Sequence, residues 1–247
     1  MKVRSQPTLL RDRIRGALLG SWIGDALAMP AHWYYNREAL RHDYEKITEY
    51  QAPKTPHPDS ILWRSSWDAP NQDLDILGDQ RPFWGQRGVH YHQNLQPGES
   101  TLTIKLAGLV WRMLLDSGEY NAKAYLQRYV DYLTYPESHR DTYIEECHRG
   151  FFTNLGRGRP LEKCGVPEKH IGGLVMMLPV ALYFADDPER ARLHALEHLA
   201  LTHPGKEMRL AGDAILTLLL STLHGKPLVD VIREQCASQR NPYFGFP

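Results

Sequence analysis

Apolar residues recur at three- and four-residue spacing through most of the chain after Ser100, and this pattern constrains the fold more than any other feature. Such spacing places apolar side chains on one face of an α-helix. In the first helix after Ser100 the repeat consists of Leu102, Leu106, Leu109, Val110, Met113 and Leu114. Comparable patterns predict further helices over residues 122–133, 141–156, 172–185, 188–203, 206–225 and 227–238.

The part of the chain before Ser100 divides into one helix and one irregular region. Leu10, Ile14 and Leu18 predict a helix from Leu9 to Ala28. The alternation typical of strands is missing, and so are hairpin dipeptides. We therefore expect an all-α fold, with residues 1–247 forming one domain and a long irregular loop after the first helix.

Residues 30–98 show no periodicity and collect several prolines together with three tryptophans, Trp63, Trp67 and Trp84. Long loops in compact domains are usually functional or disordered. Because tryptophan side chains are costly to leave in water, we expect this region to be ordered and packed on the helical body.

Three glycines lie on one ridge of the first helix, since Gly16, Gly20 and Gly24 are four residues apart. Each interior glycine costs a helix about 0.5–1 kcal/mol relative to alanine. One interpretation is close packing against another helix. The other is that a ligand lies against the backbone near Gly24 and Asp25.

The overall charge excludes some classes of partner. The 247 residues contain 29 basic and 29 acidic side chains, so no global field attracts nucleic acid or an anionic membrane. The three cysteines, Cys147, Cys164 and Cys236, form no paired motif and indicate a reducing compartment. The N-terminal residues lack an apolar targeting segment, which favours a soluble, cytoplasmic protein.

The sequence Glu99-Ser100-Thr101 stands where the apolar helix begins. Ser100 or Glu99 can cap the helix by accepting from a free backbone N–H. Alternatively, one carboxylate and two hydroxyls can offer oxygens to Mg²⁺, which needs only one or two protein carboxylates. His90 and His92, just before this helix, serve either packing or substrate contact.

Four segments, taken in order, resemble the ADP-ribosylglycohydrolase family. The first two are RIRGALLGSWIGDALAMPAHWYY, similar to its N-terminal signature, and GESTLTIKLAGLVW, which stands where the family has Thr-Asp-Asp-Thr. The others are HIGGLVMMLPVAL, similar to its Gly-rich segment, and LALTHPGKEMRLAGDAIL, similar to its Thr-His helix entry. In detail the sequence looks more like the divergent branch that includes the J-type crystallins.

The resemblance implies an all-α orthogonal bundle and Mg²⁺-dependent cleavage of a glycosidic bond to ADP-ribose. Thr101 matches the final Thr of the family motif, Glu99 stands at its first Asp, and Ser100 stands at its second. It implies Mg²⁺ ligands at Glu99, Ser100 and Thr101, and catalytic roles for Glu99 and Asp25. The substrate pocket is then expected to be lined by His32, His90, His92, Gly172 and Gly173.

The family's second metal motif, Gly-Gly-Asp-x-Asp-Thr near the C-terminus, does not occur in these residues. We therefore expect either a C-terminal truncation or the loss of half of the metal site. Two hypotheses follow: a hydrolase acting on a small-molecule or ADP-ribosylated substrate, and a non-catalytic, crystallin-like or nucleotide-sugar-binding relative with a degenerate metal site.

Overall fold

A computed structural model describes residues 6–238, and within that range the protein is built from helices and connecting loops without β-strands. The all-α prediction is confirmed. None of the described helices is both long and apolar enough to cross a bilayer. The helices are α1 Gln6–Ala28, α2 Arg37–Tyr44, α3 Leu102–Ser117, α4 Ala122–Thr134, α5 Glu146–Gly156, α6 Gly172–Met176, α7 Leu178–Tyr183, α8 Pro188–Thr202, α9 Lys206–Leu223 and α10 Leu228–Ala237.

Helix α3 is the central element, because it packs against α1, α4, α6 and α7. The apolar face predicted from its sequence is confirmed, with Leu109 half-buried and the other five residues buried. The helix ends at Gly118, whose φ of 73° lies in the left-handed region that glycine adopts without strain. The packing of α3 against four helices therefore fixes the position of its N-terminal end.

Three helix predictions need correction. Helix α5 begins at Glu146 and not near Asp141, because Glu145 has an extended backbone. The predicted helix over residues 172–185 is divided into α6 and α7, which is consistent with Pro179 having no N–H to donate within the helix. Helix α2 lies inside the region expected to be irregular, where the Asn36 side chain caps it.

The remainder of the long region between α1 and α3 consists of loops and short 3₁₀ turns that pack on the helices. Trp67 Nε1 donates to Thr153 Oγ1 on α5 at 3.0 Å, and Trp84 Nε1 donates to the Thr142 carbonyl at 2.8 Å. The prediction that tryptophans attach this segment to the helical body is confirmed for these two residues.

The glycine ridge on α1 does not serve close packing. Gly16, Gly20 and Gly24 are exposed, and a Cβ placed on any of them meets no other atom of the described residues within 4 Å. The interpretation as a helix-packing ridge is therefore wrong for residues 6–238. The alternative, a ligand near Gly24, stays a prediction.

Candidate functional site

Asp25, near the C-terminal end of α1, fixes the beginning of α3. Its two carboxylate oxygens accept from Thr101, one from the backbone N–H at 2.8 Å and one from the hydroxyl at 2.7 Å. Burial raises the pKa of Asp25, although the two hydrogen bonds from Thr101 act in the opposite direction. This pair therefore holds the end of α1 against the beginning of α3, although the two residues are 76 positions apart in the sequence.

The prediction that Glu99 or Ser100 caps α3 is wrong. Thr101 is the N-cap residue, and its side chain makes no capping hydrogen bond because its hydroxyl donates to Asp25. Glu99 Oε2 accepts instead from the Gln96 N–H, at 3.1 Å, in the turn before the helix.

Glu99, Lys105 and Arg140 form an ion-pair cluster, called here the Glu99 cluster. Lys105 Nζ lies 2.9 Å from Glu99 Oε1, and Arg140 Nη2 lies 2.5 Å from Glu99 Oε2. Burial raises the pKa of Glu99, but the Gln96 amide, Lys105 and Arg140 outweigh it, so the pKa is lowered. Both oxygens of this carboxylate are therefore occupied by partners within the protein.

The residues predicted to hold Mg²⁺ do not offer it a converging set of oxygens. Thr101 is bound to Asp25, and Ser100 lines a separate groove with Trp22 and Trp111. A cation at Glu99 has to displace two positively charged partners. In this arrangement the three residues do not fit a hard cation, which requires available oxygen ligands.

A chain of hydrogen bonds runs from Asp141 through His92 to His32. His92 Nδ1 lies 2.6 Å from Asp141 Oδ1, and His92 Nε2 lies 2.8 Å from His32 Nδ1. Asp141 and His92 are buried, whereas His32, at the outer end of the chain, is partly exposed and partly enclosed by its neighbours. Desolvation, followed by the charge of His92, lowers the pKa of His32 to about 4. With His92 neutral, the carboxylate fixes its proton on Nδ1 and leaves Nε2 as an acceptor.

His90 differs from these two histidines because it is enclosed in the protein. It is 0% exposed, its Nε2–H donates to the Pro30 carbonyl at 3.1 Å, and its Nδ1 accepts from the His92 N–H at 3.0 Å. Desolvation lowers its pKa to about 3. With both nitrogens engaged, His90 positions the loop that carries His92 and offers no free atom to a ligand.

A small cavity of about 10 Å³ lies beside the His92 chain. Such a volume is close to that needed for one water molecule. Its walls are formed mainly by His32, Trp33, His92, Thr101, Asp141, Tyr143 and Glu145. The structure thus brings together Thr101 and two of the predicted histidines, and adds four residues that the sequence analysis did not single out for this role.

Trp33 is in an unusual conformation at the edge of this cavity. Its φ of 65° lies in the left-handed region, which costs a bulky residue about 1–3 kcal/mol. Its ring stacks on His170, with centroids 5.1 Å apart, and meets Tyr143 edge to face at 5.9 Å. Aromatic contacts on both sides therefore hold the strained residue in place.

Gly172 and Gly173, predicted to bind substrate, are buried and do not line the cavity. A Cβ at Gly172 comes within 3.0 Å of Glu145 Oε2, and one at Gly173 comes within 2.5 Å of His203 Nδ1. The missing side chains of the two glycines make room for these polar groups. Burial raises the pKa of Glu145 to about 7.

Beside the two glycines lies a second group of polar residues, called here the Cys147 cluster: Glu145, Cys147, His148, Glu168 and His203. Sequence reasoning missed it, because its spacing matches no metal or catalytic motif. Part of the cluster could have been found from the run Glu145-Glu146-Cys147-His148, because it places several ligand-type side chains together. Glu168 and His203 join the group only through the fold.

The helical architecture agrees with a comparison against protein families. The ADP-ribosylglycohydrolase family model matches residues 6–242 of the 247. The comparison with curated proteins gave no match. Because the family match covers nearly the whole chain, this protein belongs to the ADP-ribosylglycohydrolase family.

Proposed function

We propose that this protein hydrolyses the glycosidic bond between ADP-ribose, or a related nucleotide sugar, and an acceptor. Family membership supports the reaction type. The observation that carries the proposal for this chain is the Asp141–His92–His32 hydrogen-bond chain beside a cavity with room for one water.

In this proposal His92 is the general base and Asp141 orients its ring. A carboxylate at Nδ1 leaves Nε2 to accept from His32 Nδ1–H, so a proton that His32 takes up on its outer nitrogen is passed on to His92. A water in the cavity is the proposed nucleophile. It gives its proton to the histidine chain as its oxygen bonds to the anomeric carbon, and the acceptor leaves with the electrons of the broken bond.

The aromatic residues give the site an apolar wall. Trp33 and Tyr143 line the cavity beside His32, and His170 stacks behind Trp33. We propose that a sugar or base ring packs against the accessible edges of these rings, while most of the substrate stays outside the small cavity.

The family resemblance predicts Mg²⁺ dependence, whereas the proposed reaction contains no metal step. The Glu99 carboxylate is already paired with Lys105 and Arg140. The same observation favours a second candidate function, a non-catalytic, crystallin-like or nucleotide-sugar-binding relative with a degenerate metal site.

The test is release of free ADP-ribose from ADP-ribosyl-arginine and ADP-ribosyl-serine peptides by the full chain, measured with Mg²⁺ and with excess chelator. We expect His92→Gln to lower kcat/KM by about 10²–10⁴-fold, the usual contribution of a general base. His42→Gln is the matched control, because His42 also lies beside a carboxylate, Asp43, but its side chain is 88% exposed.

The results distinguish the two candidate functions and test the proposed mechanism. Folded protein that releases no ADP-ribose under either condition, yet binds it in a calorimetric titration, supports the non-catalytic relative. Release that is unchanged by His92→Gln contradicts the role of His92, and release that requires Mg²⁺ contradicts a metal-free reaction.

A further inference from the structure

The Cys147 cluster gathers ligand-type atoms from three separate parts of the fold. Glu145 precedes α5, Cys147 and His148 lie in its first turn, Glu168 lies in the loop before α6, and His203 ends α8. Cys147 is 0% exposed, and His148 and His203 are each 1% exposed.

Two sets of three ligand atoms share the Cys147 sulfur. One set adds Glu145 and His148, the other adds Glu168 and His203, and the atoms within each set lie within 4.8 Å of one another. The carboxylate–imidazole separations are 3.8 Å from Glu145 to His148 and 3.9 Å from Glu168 to His203.

The nitrogen and oxygen atoms that face each other in this cluster have no hydrogen-bond partner. The unpartnered buried atoms are Glu145 Oε2, His148 Nε2, Glu168 Oε2 and His203 Nε2. Leaving one such group unsatisfied costs about 1–3 kcal/mol. Four together are an unusual arrangement unless something binds between them.

The opposite nitrogen of each imidazole is held by a hydroxyl. His148 Nδ1 lies 2.7 Å from the Tyr129 hydroxyl, and His203 Nδ1 lies 2.8 Å from Thr202 Oγ1. When Nδ1–H donates to such an oxygen, the Nε2 lone pair is free and its direction is fixed. Histidines that bind metals in proteins are oriented in this way.

We propose that the Cys147 cluster binds one zinc-like divalent cation, with the Cys147 thiolate as a ligand and carboxylate and imidazole groups completing its shell. Sulfur, imidazole nitrogen and carboxylate oxygen are the ligands of Zn²⁺, whereas Mg²⁺ prefers oxygen alone. Tetrahedral zinc with bonds of about 2.0–2.3 Å places its ligand atoms about 3.3–3.8 Å apart. The two carboxylate–imidazole separations therefore need to shorten by a few tenths of an ångström. The other pairs, which lie within 4.8 Å of one another, need to shorten by about 1 Å or less on the side-chain rotations that binding allows.

Binding converts the thiol to a thiolate–metal bond and releases its proton to solvent, with no change of oxidation state. The cation connects α5, the loop before α6 and the end of α8. This inference does not rest on the proposed hydrolysis, because the test below measures binding and needs no substrate.

The experiment titrates Zn²⁺ and, in a separate sample, Co²⁺ into chelator-treated full-length protein, with excess Mg²⁺ present in both titrations. We expect one Zn²⁺ per chain and, with Co²⁺, a thiolate-to-metal charge-transfer absorption. Cys147→Ser removes the absorption and weakens Zn²⁺ binding by more than the 10–100-fold or so that loss of an outer-shell partner causes. The matched control is Cys164→Ser, since Cys164 is equally buried but belongs to neither set.

If Cys147→Ser does not fold, the double variant Cys164→Ser/Cys236→Ser decides the question, because Cys147 is then the only cysteine left of the three. A retained charge-transfer absorption supports the site, and its absence overturns the proposal. The proposal also fails if the wild-type protein binds no Zn²⁺, or if Cys147→Ser binds Zn²⁺ as tightly as the wild type.

Discussion

The Glu99 cluster and the Cys147 cluster each contain a glutamate just before a helix, Glu99 before α3 and Glu145 before α5, but their surroundings are opposite. Glu99 makes ion pairs with Lys105 and Arg140. Glu145 Oε2 is buried without a hydrogen-bond partner. A carboxylate oxygen is available to a ligand when the fold gives it no hydrogen-bond partner, and its position at a helix start does not decide this.

Lowering the pH should change the free energy of unfolding more than any of the substitutions below. The buried histidines should respond at a higher pH than the Glu99 cluster does. Burial lowers the pKa of His90 and of His198 to about 3, compared with about 6.5 in the unfolded chain. Stability is therefore retained above pH 6.5 and falls by several kcal/mol as the pH decreases toward 3, since only the unfolded chain takes up these protons.

The pH dependence can be measured by urea unfolding at a series of pH values between neutral and about 4. Glu99, with its lowered pKa, contributes a loss only below its ordinary value of 4.5. His198→Gln should flatten the curve above that point. His90 faces His92, His57 and His32, so a substitution there also changes the titration of its neighbours. The contribution of His90 to stability is therefore assessed together with theirs, in the wild-type curve. A stability that does not change between pH 7 and pH 5 contradicts the prediction.

Gly173→Ala tests how tightly the Cys147 cluster is packed. The added methyl group lies 2.5 Å from His203 Nδ1, and overpacking a buried site costs about 1–3 kcal/mol. Gly16→Ala is the matched control, because its Cβ meets nothing within 4 Å and should stabilise the helix by about 0.5–1 kcal/mol. Urea unfolding of both variants measures the difference, and equal effects would show that the space around Gly173 is not restricted.

Asp25→Ala tests the attachment of α1 to the head of α3. Removing the carboxylate leaves the Thr101 N–H and hydroxyl without their partner, at a cost of about 1–3 kcal/mol. Asp25→Asn should retain most of the stability, since the amide can accept from the N–H and donate to the hydroxyl. Thermal unfolding of the two variants compares them, and an equal loss in both would show that the negative charge is what matters.

Glu99→Gln should have the smallest effect. Partly exposed ion pairs contribute at most about 1 kcal/mol, and salt screens them. We expect the difference from the wild type to decrease when the ionic strength rises to about 1 M, where the screening length is about 3 Å. Urea unfolding at low and high salt measures this. A larger loss that salt does not reduce would mean that Glu99 has a buried structural role.

The sequence predicts those parts of the structure that depend on neighbouring residues. The apolar stripe of α3 and the existence of α4, α8 and α9 follow from local periodicity, and the family follows from four short motifs. The beginning of α5 cannot be predicted in this way, because nothing in the residues after Asp141 indicates the extended backbone of Glu145.

The candidate site depends on contacts between distant residues, which a single sequence does not reveal. Arg140 is 41 residues from Glu99, so its ion pair, and the resulting conflict with a Mg²⁺ site, is visible only in the fold. Likewise Cys147, Glu168 and His203 become one cluster only because α5, a loop and the end of α8 meet. The histidines before α3 could be selected from sequence, but Asp141, which orients His92, could not.

The hydrogen bonds between Asp25 and Thr101 also bear on the order in which the chain folds. They close a loop of 76 residues, and closing such a loop costs on the order of 4 kcal/mol in chain entropy before any contact is gained. Helices α3 to α10 are joined by shorter connections and can assemble through more local contacts. We therefore expect the cavity beside His92, which needs residues from the long segment before α3, to be completed late in folding.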